Sequence, residues 1–132
     1  MQAVIFDMDG TLIDTERVSQ SSWRRAASDF GIEIPDRILH SFVGCSIPNA
    51  MKMVDDEFGD PVFTERLFNR RHELFDATWE DELKLKPGAA EAITAARDRG
   101  LAVALATSSV RDRAIISMQR PGSTPRRSAA MR

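Results

Sequence analysis

Two short, uninterrupted apolar segments constrain the fold of this chain more than any other feature. Residues 2–6 and 101–106 are each too short for an independent helix, and each ends abruptly in polar residues. Such continuous apolar runs are typical of strands inside a parallel sheet. The order of strand, helical segment, helix and strand along the sequence therefore predicts an α/β protein.

Helical periodicity fills the segment between the two strands. In the first predicted helix, over residues 16–30, Trp23, Ala26, Ala27 and Phe30 recur at the spacing of one helix face. Proline, serine and glycine residues mark the ends of the further predicted helices. These cover residues 36–42, 47–58, 64–79 and 88–99.

The same pattern divides the chain into three parts. Residues 1–14 and 84–116 are predicted to form a partial α/β core, into which residues 15–83 insert as a helical segment. Residues 117–132 have no apolar periodicity. Their prolines, glycine and arginines predict a disordered tail.

Composition excludes several classes of function. With 18 basic and 20 acidic residues, the net charge of −2 gives no electrostatic reason to expect a nucleic acid or a membrane as partner. No apolar run approaches the roughly 20 residues of a membrane span. The N-terminus lacks the basic region of a signal peptide. Cys45 is the only cysteine, so no intrachain disulfide can form. These features predict a cytoplasmic location.

The first predicted strand is followed by two aspartates, Asp7 and Asp9, and then by Gly10 and Thr11. Side chains at the carboxyl end of a strand face the crevice where open α/β sheets bind ligands. One carboxylate there can attack phosphorus, and the second can protonate the leaving group and then activate water. Mg²⁺ is expected to offset the negative charge. The N–H groups of the Gly10–Thr11 turn can hold phosphate oxygens.

Two other interpretations of this segment are a solvated turn and a calcium-binding loop. An Asp-x-Asp-Gly sequence alone is more typical of a solvated turn. A calcium-binding EF-hand loop is excluded, because Thr11, Leu12 and Val18 stand where that loop requires a ligand, a glycine and a glutamate. The longer pattern, with four apolar residues before Asp7, favours the catalytic interpretation.

A polar segment, Thr107-Ser108-Ser109, follows the second predicted strand. Its hydroxyl and N–H groups can donate to a phosphoryl oxygen. A serine or threonine in this position is also typical of a helix N-cap. Both roles are compatible with the sequence.

Together these segments resemble a known family. Residues 4–15 (Val-Ile-Phe-Asp-Met-Asp-Gly-Thr-Leu-Ile-Asp-Thr) are similar to motif I of the haloacid dehalogenase superfamily, in its phosphoglycolate phosphatase and β-phosphoglucomutase-like branch. Lys86-Pro87-Gly88 resembles the return to the core in that branch, and residues 105–109 resemble motif II. The resemblance implies a partial Rossmann-like parallel sheet core with an inserted α-helical cap.

The resemblance also implies a role for each site residue. Asp7 would be the nucleophile and a magnesium ligand, and Asp9 the acid/base, binding Mg²⁺ through its main-chain carbonyl. Gly10, Thr11, Thr107 and Ser108 would contact the substrate, Thr107 through its hydroxyl and Ser108 through its N–H group. The implied activity is Mg²⁺-dependent hydrolysis of a small phosphorylated metabolite through an aspartyl-phosphate. A β-phosphoglucomutase-like phosphomutase is the alternative.

Two further elements of the family are not found in these 132 residues. Motif III would supply a lysine or arginine beside the nucleophile, and motif IV would supply aspartates that complete the magnesium site. The last lysine, Lys86, precedes motif II, and the arginines of the tail lack a strand context. We therefore expect a truncated or frameshifted form of a longer gene. Reading the downstream DNA in the other frames for motifs III and IV would test this. A genuine short protein is the alternative.

The absence of these groups leaves a third possible function. The chain would then be an inactive fragment, or a non-catalytic interaction module. Because a strand of the core would lack a neighbour, an open sheet edge would favour self-association.

Overall fold

The computed structural model describes residues 2–119. Its order of strand, helices, strand and helix confirms the predicted α/β class. The elements are β1 (Ala3–Asp7), α1 (Thr15–Asp29), α2 (Asp36–Ser41), α3 (Ile47–Phe58), α4 (Pro61–Glu82), α5 (Ala89–Asp98), β2 (Ala102–Ala106) and α6 (Arg111–Gln119).

The two strands pair in parallel, in a register that runs from Ala3 opposite Ala102 to Asp7 opposite Ala106. A parallel pair needs a long crossover connection, and five helices provide it here. The last of them, α5, also contacts β2. Parallel pairing places the carboxyl ends of both strands at one edge of the sheet, so the segments that follow Asp7 and Ala106 begin side by side.

The strands are less buried than their apolar sequences predicted. Along both strands, side chains alternate between exposed and half-buried, and Ile5 is 68% exposed. Continuous apolar strands are buried on both sides only when both faces of the sheet are covered. Within residues 2–119, one face of this sheet is open.

The described residues form two compact units. The first contains the residues up to 15 and those from 82 onward, and the second contains residues 16–81. In the first unit, most of the buried apolar side chains come from the loop after β1 and from one face of α5. They include Met8, Leu12, Ile13, Ala89, Ile93 and Ala96.

The helical unit has its own apolar core. Trp23, Leu39, Val54 and Leu67, one from each of its four helices, are buried together. The ring of Trp23 lies 4.9 Å from that of Phe42, centroid to centroid. The periodic face predicted for α1 is therefore the face that packs.

No helix of the described segment is both long enough and apolar enough to cross a bilayer.

Helix α4 is longer than predicted. It begins at Pro61 rather than at residue 64, because the Oδ1 atom of Asp60 accepts a hydrogen bond from the Phe63 N–H group at 3.0 Å. An aspartate at the N-cap followed by proline at the first helical position is a typical helix start. The helix also runs on to Glu82, beyond its predicted end at residue 79.

Helix α6 extends into the segment that was predicted to be a disordered tail. It runs to Gln119, whereas the tail was predicted to begin at residue 117. Ala114 and Ser117, three positions apart, share a buried helix face. The rest of the predicted tail, residues 120–132, lies outside the described residues.

Candidate active site

A tight loop follows β1 and carries the first predicted site residues. The Met8 carbonyl accepts hydrogen bonds from the N–H groups of Leu12 and Ile13, at 3.0 and 3.1 Å. Gly10 adopts a φ of +75°, in the left-handed region that favours glycine. The side chains of Met8, Leu12 and Ile13 are buried. This apolar anchoring leaves Asp7 exposed and Asp9 half-buried at the surface of the loop.

The loop is also tied to the segment that returns to the core. The Asp14 N–H group donates to the Lys84 carbonyl, and the Lys86 N–H group donates to the Leu12 carbonyl, both at 2.9 Å. These bonds hold the polypeptide on both sides of the 16–81 unit together. The position of the Asp7–Asp9 segment is therefore fixed by backbone contacts from two parts of the sequence.

Parallel pairing of the strands brings Asp9 to the segment after β2. The Ser109 hydroxyl donates to Asp9 Oδ2 at 2.6 Å, and the Thr107 hydroxyl lies 3.4 Å from the same oxygen. Asp9 and Ser109 are 100 positions apart in the chain. Two of the predicted residues, Asp9 and Thr107, are thus brought together, with Ser109 as their shared neighbour.

Asp7 is less engaged than Asp9. Its Oδ2 atom lies 3.5 Å from the Thr11 hydroxyl, beyond the usual range of an O–H···O hydrogen bond. No lysine or arginine of the described segment forms an ion pair with Asp7 or Asp9. A carboxylate that is exposed and without a cationic partner is accessible to a ligand.

The backbone N–H groups of the loop divide into two classes. Those of Gly10 and Thr11, which were predicted to face phosphate, donate inside the loop, to the Ile13 carbonyl at 2.8 Å and the Met8 carbonyl at 3.3 Å. Between the described residues, no hydrogen bond uses the N–H groups of Asp9 or Ser108. The two latter groups are therefore the better donors to an anion at this edge.

The loop offers some of the oxygen ligands that a hard divalent cation requires. Asp7 offers a carboxylate, and the Asp9 carbonyl accepts no hydrogen bond from residues 2–119. The described residues contain no group of three or more acidic, histidine or cysteine side chains that could surround a metal ion. Magnesium commonly binds through one or two protein oxygens, with water and substrate phosphate completing its shell. The donor set fits that pattern.

The sequence alone did not single out Ser109. Ser108 and Ser109 are adjacent and chemically identical, and only the turn after β2 decides which hydroxyl faces Asp9. The Ser109 N–H group donates to Thr107 Oγ1 at 3.1 Å, which is a local serine/threonine turn. Thr107 is not the N-cap of α6, because that helix begins four residues later, at Arg111.

The fold and this cluster define a class of protein. It is an α/β protein with a helical insertion after its first strand and a carboxylate–hydroxyl site at the carboxyl edge of a parallel sheet. Residues 1–122 match the haloacid dehalogenase-like hydrolases. The chain belongs to that family, as the resemblance of residues 4–15 and 105–109 implied.

Similar proteins agree with this assignment. The chain is 29% identical, over 120 residues, to the phosphorylated carbohydrates phosphatase of Thermotoga maritima, covering 91% of this chain and 56% of that protein. It is 26% identical to the pyrophosphatase PpaX of Bacillus pumilus, covering 95% of this chain and 56% of PpaX.

A solved structure shows the same fold. The HAD-family hydrolase of Deinococcus radiodurans, which was crystallised with bound phosphate and sodium, superposes with a TM-score of 0.67 at 23% identity. The superposition covers 90% of this chain and 52% of that one. The chain thus spans about half the length of the relatives that it matches.

Proposed function

We propose that this chain carries the nucleophile and the acid/base of a Mg²⁺-dependent phosphoryl-transfer site that hydrolyses a small phosphorylated metabolite. The observation that carries the proposal is the cluster at the sheet edge. Asp9 accepts the Ser109 hydroxyl and lies 3.4 Å from the Thr107 hydroxyl, while Asp7 ends the neighbouring strand with an accessible carboxylate. A nucleophile, an acid/base and hydroxyl donors are the groups that phosphoryl transfer requires.

The proposed reaction has two steps. A carboxylate oxygen of Asp7 attacks phosphorus, the bond from phosphorus to the leaving oxygen breaks, and Asp9 gives that oxygen a proton. Water then attacks the aspartyl-phosphate while Asp9 takes a proton from it, which frees Asp7 and releases phosphate. The Ser108 N–H group and the Thr107 hydroxyl donate to phosphoryl oxygens.

The proposed metal would be held by the Asp7 carboxylate and the Asp9 carbonyl. When bound, Mg²⁺ supplies positive charge that reduces repulsion between Asp7 and the phosphoryl group. Without a lysine or arginine at the described site, this charge carries more of the compensation than it would beside a basic side chain. Activity is therefore expected to depend steeply on Mg²⁺ concentration.

A relative supports one class of substrate. The Thermotoga maritima protein is named for its action on phosphorylated carbohydrates, and the present chain shares 29% identity with it over 91% of its length. We therefore propose phosphorylated carbohydrates as the substrate class to test first.

The decisive experiment is phosphate release from p-nitrophenyl phosphate by the full chain. Asp7→Asn removes the nucleophile and is expected to reduce kcat by at least about a thousandfold. Asp98→Asn, the same chemical change at an exposed position in α5, should leave the rate unchanged. Chelation of Mg²⁺ should abolish turnover, and added Mg²⁺ should restore it. Equal rates in the wild type and Asp7→Asn would refute catalysis by Asp7.

The open face of the sheet favours a second candidate function. We propose that the chain can act as an interaction module that self-associates through β1 and β2. The support is the 68% exposure of Ile5 on a two-stranded parallel sheet, because sheets of this type are normally covered on both faces. Unpaired backbone groups on strands at a sheet edge also promote pairing with a second copy.

A further inference from the structure

Ser109 makes the shortest contact at the candidate active site. Its Oγ atom is 2.6 Å from Asp9 Oδ2, within the range typical of a hydroxyl donating to an ionised carboxylate. Thr107 Oγ1 is 3.4 Å from the same oxygen, beyond the distance of a strong hydrogen bond. Ser109, rather than Thr107, is therefore the principal partner of the Asp9 carboxylate.

The backbone of Ser109 contacts the other half of the cluster. Its N–H group donates to Thr107 Oγ1 at 3.1 Å. Because a hydroxyl has a single proton, an oxygen that already accepts this N–H group directs its own proton elsewhere. Thr107 is thus oriented as a donor, towards Asp9 or towards a ligand oxygen. One residue, Ser109, orients both an acceptor and a donor.

We infer that Ser109 is a positioning residue that fixes the Asp9 carboxylate through Oδ2 and leaves Oδ1 to exchange the proton with substrate. This inference rests on the proposed function for its catalytic consequence. In the first step, the proton passes from Oδ1 to the leaving oxygen as the bond from phosphorus to that oxygen breaks. In the second step, Oδ1 takes a proton from water. Throughout, Oδ2 keeps the hydrogen bond from the Ser109 hydroxyl.

The orientation can be measured without substrate or metal. In the full chain, three-bond NMR couplings of Asp9 report whether its χ1 angle occupies one rotamer or averages over several. We expect one rotamer in the wild type and in Ser109→Thr, and averaged couplings in Ser109→Ala. Ser41→Ala, which removes a hydroxyl that bonds the Arg37 carbonyl in α2, is the matched control and should leave Asp9 unchanged. Unchanged couplings in Ser109→Ala would overturn the inference.

A second measurement uses the wild type and Asp9→Ala, and therefore does not depend on whether Ser109→Ala folds. A hydroxyl proton held at 2.6 Å from a carboxylate exchanges slowly with water. The Ser109 hydroxyl proton is expected as a distinct resonance in the wild type, and Asp9→Ala should abolish it. A rapidly exchanging Ser109 hydroxyl in the wild type would contradict the inference.

Kinetics then test the catalytic consequence. With p-nitrophenyl phosphate and Mg²⁺, Ser109→Ala should lower kcat about tenfold with KM within about twofold, and Ser109→Thr should restore most of the loss. An unchanged kcat in Ser109→Ala would overturn the positioning role. If the wild type and Asp7→Asn turn over equally slowly, the proposed function fails, whereas the Asp9 couplings still decide the orientation.

Discussion

Asp7 and Asp9 are identical side chains in different surroundings. Asp7 is exposed, and its Oδ2 atom lies 3.5 Å from the Thr11 hydroxyl. Asp9 is half-buried and accepts the Ser109 hydroxyl at 2.6 Å. An accessible carboxylate suits attack on an incoming phosphoryl group, and one held by a hydrogen bond suits directional proton transfer. The proposed roles assign the accessible carboxylate to nucleophilic attack and the hydrogen-bonded one to proton transfer.

The role of the Thr107 hydroxyl can be tested by substitution. Thr107→Val keeps the shape of the side chain and removes the hydroxyl that is proposed to donate to the phosphoryl group. We expect kcat/KM for p-nitrophenyl phosphate to fall by about 10²-fold, since loss of a single transition-state donor has effects of that order. Thr107→Ser keeps the hydroxyl and should retain most activity. An unreduced kcat/KM in Thr107→Val would refute the proposed role of the hydroxyl.

The site residues illustrate what a sequence can and cannot predict. Asp7, Asp9 and Thr107 were found from their positions after apolar strands, because parallel strands end at one edge of a sheet. The role of Ser109 depends on the turn after β2, which adjacent, identical serines do not encode. The Gly10 N–H group likewise donates inside the loop. Its direction follows from the positive φ of Gly10, which the sequence alone does not determine.

The C-terminus of helix α3 depends on a glycine. The helix ends at Gly59, whose φ is +67° and whose N–H group donates to the Asp55 carbonyl at 2.7 Å. A Cβ atom placed there would have no neighbour within 4 Å, so Gly59→Ala meets only the backbone cost of the left-handed conformation. We expect a loss of about 1 kcal/mol in the free energy of unfolding, measured by urea denaturation. Gly59→Asn should reduce the free energy of unfolding by less. An unaltered stability in Gly59→Ala would contradict the left-handed conformation of this residue.

Helix α4 offers a comparison between two of its own faces. Leu67 is fully buried in the helical core, at 0% exposure, whereas Val62 is 69% exposed. Leu67→Ala is expected to reduce the free energy of unfolding by about 2–5 kcal/mol through lost burial and a cavity. Val62→Ala on the same helix should change it by less than about 0.5 kcal/mol. Thermal unfolding followed by circular dichroism measures both, and equal shifts would place Leu67 outside the core.

The helices were easier to predict from the sequence than their ends. The periodicity of Trp23, Ala26 and Ala27 identified α1, because the face that repeats is the face that is buried. The start of α4 was missed because the apolar pattern is weaker there. The helix begins where it does because Asp60 and Pro61 act as a cap and first-turn pair. Helix α6 was not among the predicted helices, because its buried face consists of two small residues, Ala114 and Ser117, which give no apolar periodicity.

The sheet presents one open apolar face within the described residues. Ile5→Lys places a charge on its open face, and because Ile5 is 68% exposed the fold itself should lose little stability. We expect any concentration-dependent association seen by sedimentation velocity to weaken or disappear. Val62→Lys is a matched control, since it changes an equally exposed side chain in the helical unit. Association that survives Ile5→Lys would exclude this face as the contact.

The pairing of Ala3 with Ala102 also has a consequence for how the protein is made. During translation at about 5–20 residues per second, β1 leaves the ribosome roughly five to twenty seconds before its partner strand. The helices between them have local contacts and can fold in that interval. The nascent chain therefore carries an apolar strand without its partner while residues 8–101 are being synthesised.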